Sequence, residues 1–156
     1  MWSSGPASGD PATRSFEARI FGHIIDVVIR PATASAAVGP ATGSVGCQGL
    51  IDTGASDVCI DYRIADQLAL LEIDRRQVGV PGSSLMASVR MGRLEVPQLG
   101  FSEIMPLYAF RMRHPTHEAI LGRSFLQNYI VTFHGPLGVM TFADPSRMLE
   151  EMTPDD

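Results

Sequence analysis

The chain has 156 residues, 45% hydrophobic and 19% charged, which suits one globular domain with a real core and is too short for two ordinary ones. Its net charge is −5, its basic residues are all arginine and they form no stripe, so nucleic-acid or anionic-membrane binding is disfavoured as the main activity. No apolar run approaches the roughly 20 residues needed to span a bilayer, and Met1 to Ser15 lacks the apolar core of a signal peptide, so a cytoplasmic setting is expected.

Residues 1–14, rich in Gly, Pro and Ser, read as a disordered leader, residues 15–143 as the domain, and residues 144–156 as an acidic, frayed tail. From Ser15 to Arg30 the β-branched residues dominate, which predicts one long strand or a hairpin broken near Gly22-His23. Pro31 to Gly46 is a small-residue surface loop, long for a compact domain and read as an insertion in a hairpin. Val45 to Ile51 is then a buried strand that delivers Asp52 onto a turn, Asp52-Thr53-Gly54, after which Val58-Cys59-Ile60 resumes a short strand. Asp61 can cap a helix running to about Leu70, with Ile64, Ala65, Leu68 and Ala69 on one face.

Arg75 to Val80 and Leu85 to Met91 read as the arms of a hairpin around Pro81-Gly82-Ser83-Ser84, since Pro-Gly suits the central positions of a type II turn. Gly92-Arg93 reads as a further turn into Leu94-Glu95-Val96, Gln98 to Met105 as a strand, and Pro106 to Glu118 as less regular. Ala119-Ile120-Leu121 is a buried strand ending at Gly122. A short helix from Arg123 to Asn128 follows, then strands Tyr129 to Phe133 and Val139 to Phe142 around the Gly135-Pro136-Leu137-Gly138 turn. Short strands, frequent turns and one or two small helices make the fold mainly β.

Several patterns invite other chemistry and are read plainly. Cys47 and Cys59 make neither a disulfide framework nor a zinc set and read as small reduced core residues. His114-Pro115-Thr116-His117-Glu118 fits no zinc pattern and reads as a surface loop, with no metal expected. Gly122-Arg123-Ser124-Phe125-Leu126 approaches a serine-hydrolase elbow but ends in leucine, leaving Ser124 at a helix start. Asp61, Asp66 and Glu72 read as a solvated helix face, and the methionines as core filler.

Leu50-Ile51-Asp52-Thr53-Gly54-Ala55-Ser56, followed downstream by Ile120-Leu121-Gly122-Arg123 with a Pro-Gly hairpin between, resembles the retropepsin-like aspartic proteases over about Phe16 to Ala143. The resemblance implies a closed, barrel-like acid-protease fold, no cofactor, a peptide or protein substrate, and a homodimer. Metal-free peptide hydrolysis needs two carboxyl groups sharing a proton, one to activate water and one to polarise the carbonyl. Only one aspartate here has the setting for it, so the second should be Asp52 of another copy. By the same resemblance, Thr53 locks the two turns together, Gly54 permits their close approach, and Ala55, Ser56 and Asp57 meet the substrate. Val80, Pro81, Gly82 and Ser83 would form the tip of a flap over the bound peptide. Arg123 would brace the turn, with Asp57 as an ion-pair partner. Serine at position 124, where many relatives carry Asp or Asn, departs from the pattern. The competing reading keeps the fold but makes it a catalytically inactive dimerisation or peptide-binding module.

Overall fold

A computed structural model describes residues 17–32 and 43–146 of the chain. Among the described residues, ten strands and two short α-helices follow one another: β1 Glu17–Phe21, β2 Ile24–Pro31, β3 Val45–Ile51, β4 Cys59–Asp61, α1 Tyr62–Gln67, β5 Leu71–Val80, β6 Ser83–Val96, β7 Phe101–Phe110, β8 Ala119–Leu121, α2 Arg123–Leu126, β9 Ile130–His134 and β10 Val139–Ala143. The expected leader and most of the expected loop and tail (1–16, 33–42 and 147–156) lie outside the described residues.

Strands β2, β3, β8, β4, β7 and β6 are hydrogen-bonded in that order, and β6 pairs back onto β2 through Val28↔Glu95 to Pro31↔Gly92. That last pairing closes a six-stranded barrel and removes two sheet edges. Period-two patterning fills it. Ile25, Val27 and Ile29 of β2, Leu94 and Val96 of β6, and Leu107 and Ala109 of β7 all point inward and are buried, with Ile60, Leu121 and Phe125 closing the core. Each of these Val, Leu, Ile and Phe side chains stabilises the fold by about 1.5–3 kcal/mol relative to exposure. A separate three-stranded sheet, β1-β10-β9, packs beside the barrel.

Strand β6 serves two structures. Its C-terminal part lies between β7 and β2 in the barrel wall, whereas residues 83–87 pair only with β5. The β5–β6 hairpin is therefore an arm projecting from the barrel. At its tip Val80 pairs with Ser83, leaving a two-residue loop of Pro81 and Gly82, and Gly82 takes φ +74°, a conformation glycine adopts without strain.

Four expectations are corrected. Ser15 to Arg30 is neither one strand nor a hairpin, because β1 pairs with β10 while β2 joins the barrel. Gly92-Arg93 is no turn: β6 runs straight through it, and a Cβ on Gly92 would lie 2.8 Å from Leu107 Cδ1. Glycine stands there for packing. Strand β7 continues through Pro106 to Phe110, and proline is tolerated because β4 flanks β7 only from Tyr108 onward. The helix α1 ends at Gln67, short of Leu70, with Ala69 at φ 48°.

Candidate active site

Strands β3 and β8 run parallel, with Ile51 opposite Leu121, so both chains leave the barrel at the same level. One delivers Asp52 and the other Gly122. The Asp52 amide donates to Leu121 O (3.1 Å), and the Ala55 amide donates back to Asp52 O (3.2 Å), which makes the turn. The Gly54 amide donates to Asp52 Oδ1 at 2.8 Å and fixes the carboxylate. Asp52 is half-buried, and Thr53 and Gly54 are exposed on the single chain. The Thr53 hydroxyl has no partner among the described residues.

The loop is braced from downstream. The Arg123 and Ser124 amides donate to Ala55 O and Ser56 O, each at 2.9 Å. The Arg123 guanidinium donates to Thr53 O (3.1 Å) and to Ser56 Oγ (2.9 Å). Arg123 thus braces the turn, but through a carbonyl and a hydroxyl; the expected Asp57–Arg123 ion pair is not formed, because serine at position 56 takes the guanidinium. Gly122 permits the approach: a Cβ there would lie 2.3 Å from Asp57 O and 2.7 Å from Ala55 O. Ser124 Oγ is buried without a partner among the described residues.

A cavity of about 390 Å³ lies between this loop and the hairpin arm, lined by Gly54, Ala55, Ser56, Asp57, Cys59, Gln77, Val78, Gly79 and Tyr108. The loop residues anticipated as substrate contacts are therefore at a cleft. The flap-tip residues Val80, Pro81, Gly82 and Ser83 do not line it; the arm reaches it with β5. Cys59, Gln77, Val78, Gly79 and Tyr108 were not legible as site residues. Cys59 faces Tyr108 across the parallel β4–β7 ladder, a pairing of residues 49 apart that no local pattern announces. Burial, then the Asp57 and Asp52 carboxylates, push the Cys59 thiol up to about 12, and burial followed by Asp57 raises the Tyr108 hydroxyl.

Two features away from the cleft also depart from expectation. Asp61 caps α1, as its position suggests, yet it is buried rather than solvated. Burial alone would raise its carboxyl; the Arg63 side chain and the Arg63 and Met112 amides outweigh that and hold it below the usual carboxylate range. In the His114–His117 loop the two rings stack with centroids 4.0 Å apart, and His117 is buried rather than at the surface. Burial, then His114 and His23, lower its affinity for a proton.

A family model described as aspartyl protease matches residues 28–125. No curated protein sequence matches significantly. Among solved structures, the chain is similar to a retropepsin-like aspartic protease from Rickettsia conorii, with 16% identity, TM-score 0.54, and coverage of 81% of this chain and 89% of that one. It is also similar to the retroviral protease-like domain of Ddi1 from Leishmania major (13% identity, TM-score 0.46, covering 79% and 89%). The first likeness establishes a retropepsin-like fold, and the match over residues 28–125 shows that the chain belongs to the aspartyl protease family.

Proposed function

We propose that the protein is an aspartic endopeptidase whose active site is completed by Asp52 of a second copy. The observation that carries this reading is the Asp52 carboxylate, held by the Gly54 amide on a braced turn whose following residues, Gly54 to Asp57, line a cleft. Half a site is what one chain supplies. The exposed Thr53 and Gly54 and the unpartnered Thr53 hydroxyl support a twofold contact at this turn. So does the edge strand β9, where Ile130, Phe133 and nearby Leu137 leave 41%, 64% and 73% of their surface exposed, an apolar margin suited to a partner.

In this reading the pair of carboxyl groups shares one proton and titrates as a unit. The ionised member takes a proton from water while the other donates to the scissile carbonyl. The hairpin arm closes over an extended peptide, and β5 from Gln77 to Gly79 offers backbone groups to it. Activity is expected at acidic to mildly acidic pH, since the pair must keep one proton.

The test is digestion of a peptide library by the wild type and by Asp52→Asn, together with sedimentation. The variant should fold and dimerise but leave the library intact. Equal turnover by both would remove Asp52 from the mechanism. A folded, dimeric wild type that cleaves nothing across pH 3–7 would favour the alternative, a peptide-binding module on the same fold.

A further inference from the structure

At the far end of β4 and β7 lies a second concavity of about 320 Å³, lined by Asp61, Tyr62, Arg63, Arg111, Met112, Arg113 and His114. A chain with a net charge of −5 thus gathers three of its arginines on one pocket. Only one of them is neutralised there. Arg63 pairs with the buried Asp61 at 2.8 Å, and the second Asp61 oxygen accepts the Met112 amide at 3.1 Å. Asp61 is therefore fully engaged. Arg111 and Arg113 make no hydrogen bond or ion pair among the described residues. They alternate about buried Met112, whose amide bond to Asp61 pins the segment that carries them. His114 adds a donor: its Nδ1 accepts the Thr116 amide at 3.3 Å, which leaves Nε2 to carry the proton in the neutral ring.

The place of this pocket suggests its use. Cys59 and Tyr108 line the cleft, and their ladder continues to Asp61 and Phe110 two residues further on. Period-two alternation puts Cys59 and Asp61 on one side of the ladder, with Ile60 turned into the core. At a rise of about 3.3 Å per residue, the pocket begins roughly 7–10 Å along the strands from the cleft, or two to three residues of extended peptide.

We propose that the Arg63–Arg111–Arg113 pocket docks an acidic side chain of the polypeptide held in the cleft, two to three residues beyond it. The proposal rests on the peptidase reading for the word substrate, and on the pocket alone for the binding of a carboxylate. Guanidinium groups match the planar carboxylate fork, and the contact would be sensitive to salt.

The probes are fluorescein-labelled hexaglutamate, hexaglutamine and inorganic phosphate, added to full-length Asp52→Asn protein so that peptides stay intact. Hexaglutamate should bind, weaken as salt rises, and shift the Arg111 and Arg113 Nε–H signals in NMR spectra of the unsubstituted pocket. Arg111→Gln with Arg113→Gln should weaken it about tenfold, as two exposed charge pairs allow, while Arg93→Gln on β6 should not. Hexaglutamine binding as well as hexaglutamate, or unmoved arginine signals, would overturn the site. Phosphate binding the pocket while hexaglutamate does not would overturn the peptide as occupant. A wild type that digests peptides yet ignores hexaglutamate refutes this inference alone. Hexaglutamate bound through the arginines of a protein that digests nothing supports the pocket and refutes the peptidase reading instead.

Discussion

Replacing Gly122 by alanine adds one methyl group where the structure has no room. Gly122 has φ −87°, so alanine meets no backbone penalty there and the effect is purely steric. The new Cβ would sit 2.3 Å from Asp57 O and 2.7 Å from Ala55 O, both main-chain atoms of the Asp52 loop that cannot rotate aside. Relief requires the loop and α2 to separate, which strains two hydrogen bonds, Arg123 N–H to Ala55 O and Ser124 N–H to Ser56 O. Overpacking of this kind costs about 1–3 kcal/mol, and each of the two weakened bonds about 0.5–1.5 kcal/mol more, for roughly 2–6 kcal/mol in all. Urea unfolding of Gly122→Ala against wild type measures it, with Gly46→Ala, where the added Cβ meets nothing within 4 Å, as the control. On the proposed peptidase reading, library digestion by the folded fraction should fall as well, because Asp52 moves with the loop. A loss under about 0.5 kcal/mol would refute the bracing argument.

Ser124→Ala removes a buried hydroxyl that has no partner among the described residues, and should raise stability by up to about 1 kcal/mol in thermal unfolding; a clear loss would reveal a partner for that oxygen. His117 binds its proton less readily folded than unfolded, so the stability that goes with its neutral ring is fully present above its ordinary value of 6.5. That contribution is lost as pH falls through 6.5 toward the lower folded value. His117→Gln should flatten the urea midpoint over that range, and an unchanged slope would sink the assignment. The Cys59 thiol, pushed up to about 12 from 9.0, should react with iodoacetamide at pH 8 about a thousandfold more slowly than a free thiol, and at ordinary speed once unfolded in urea. Rapid labelling of the folded protein would contradict it.

Which parts were legible in the sequence follows from the range of the forces involved. The Asp52 turn and the Gly122-Arg123 segment are local strings readable by residue type, and the structure joins them through main-chain amides and the Arg123 guanidinium. Gly92 and Pro106 misled because glycine and proline signal turns locally, whereas here one makes room for Leu107 and the other sits where its strand lacks a second neighbour. Asp61 could be read as a cap from its place before a helical pattern. Its burial depends on the Met112 segment, some fifty residues away, and had no signal. The cleft wall had none either. Gln77 comes from a projecting arm and Tyr108 from a parallel ladder, and neither register is written in period or propensity. The Arg123 partners turned on one residue: serine at position 56 offers the hydroxyl that draws the guanidinium from Asp57.

The brace has a consequence for synthesis. Arg123 reaches back across 70 residues to Thr53 and 67 to Ser56. At about 5–20 residues per second, a ribosome that has made the Asp52 turn needs roughly 4–14 seconds more to make the segment that holds it. A nascent chain or a fragment stopped before Gly122 carries the Asp-Thr-Gly string without its scaffold. Premature termination therefore releases a polypeptide in which the Asp52 turn lacks its bonds to Arg123 and Ser124.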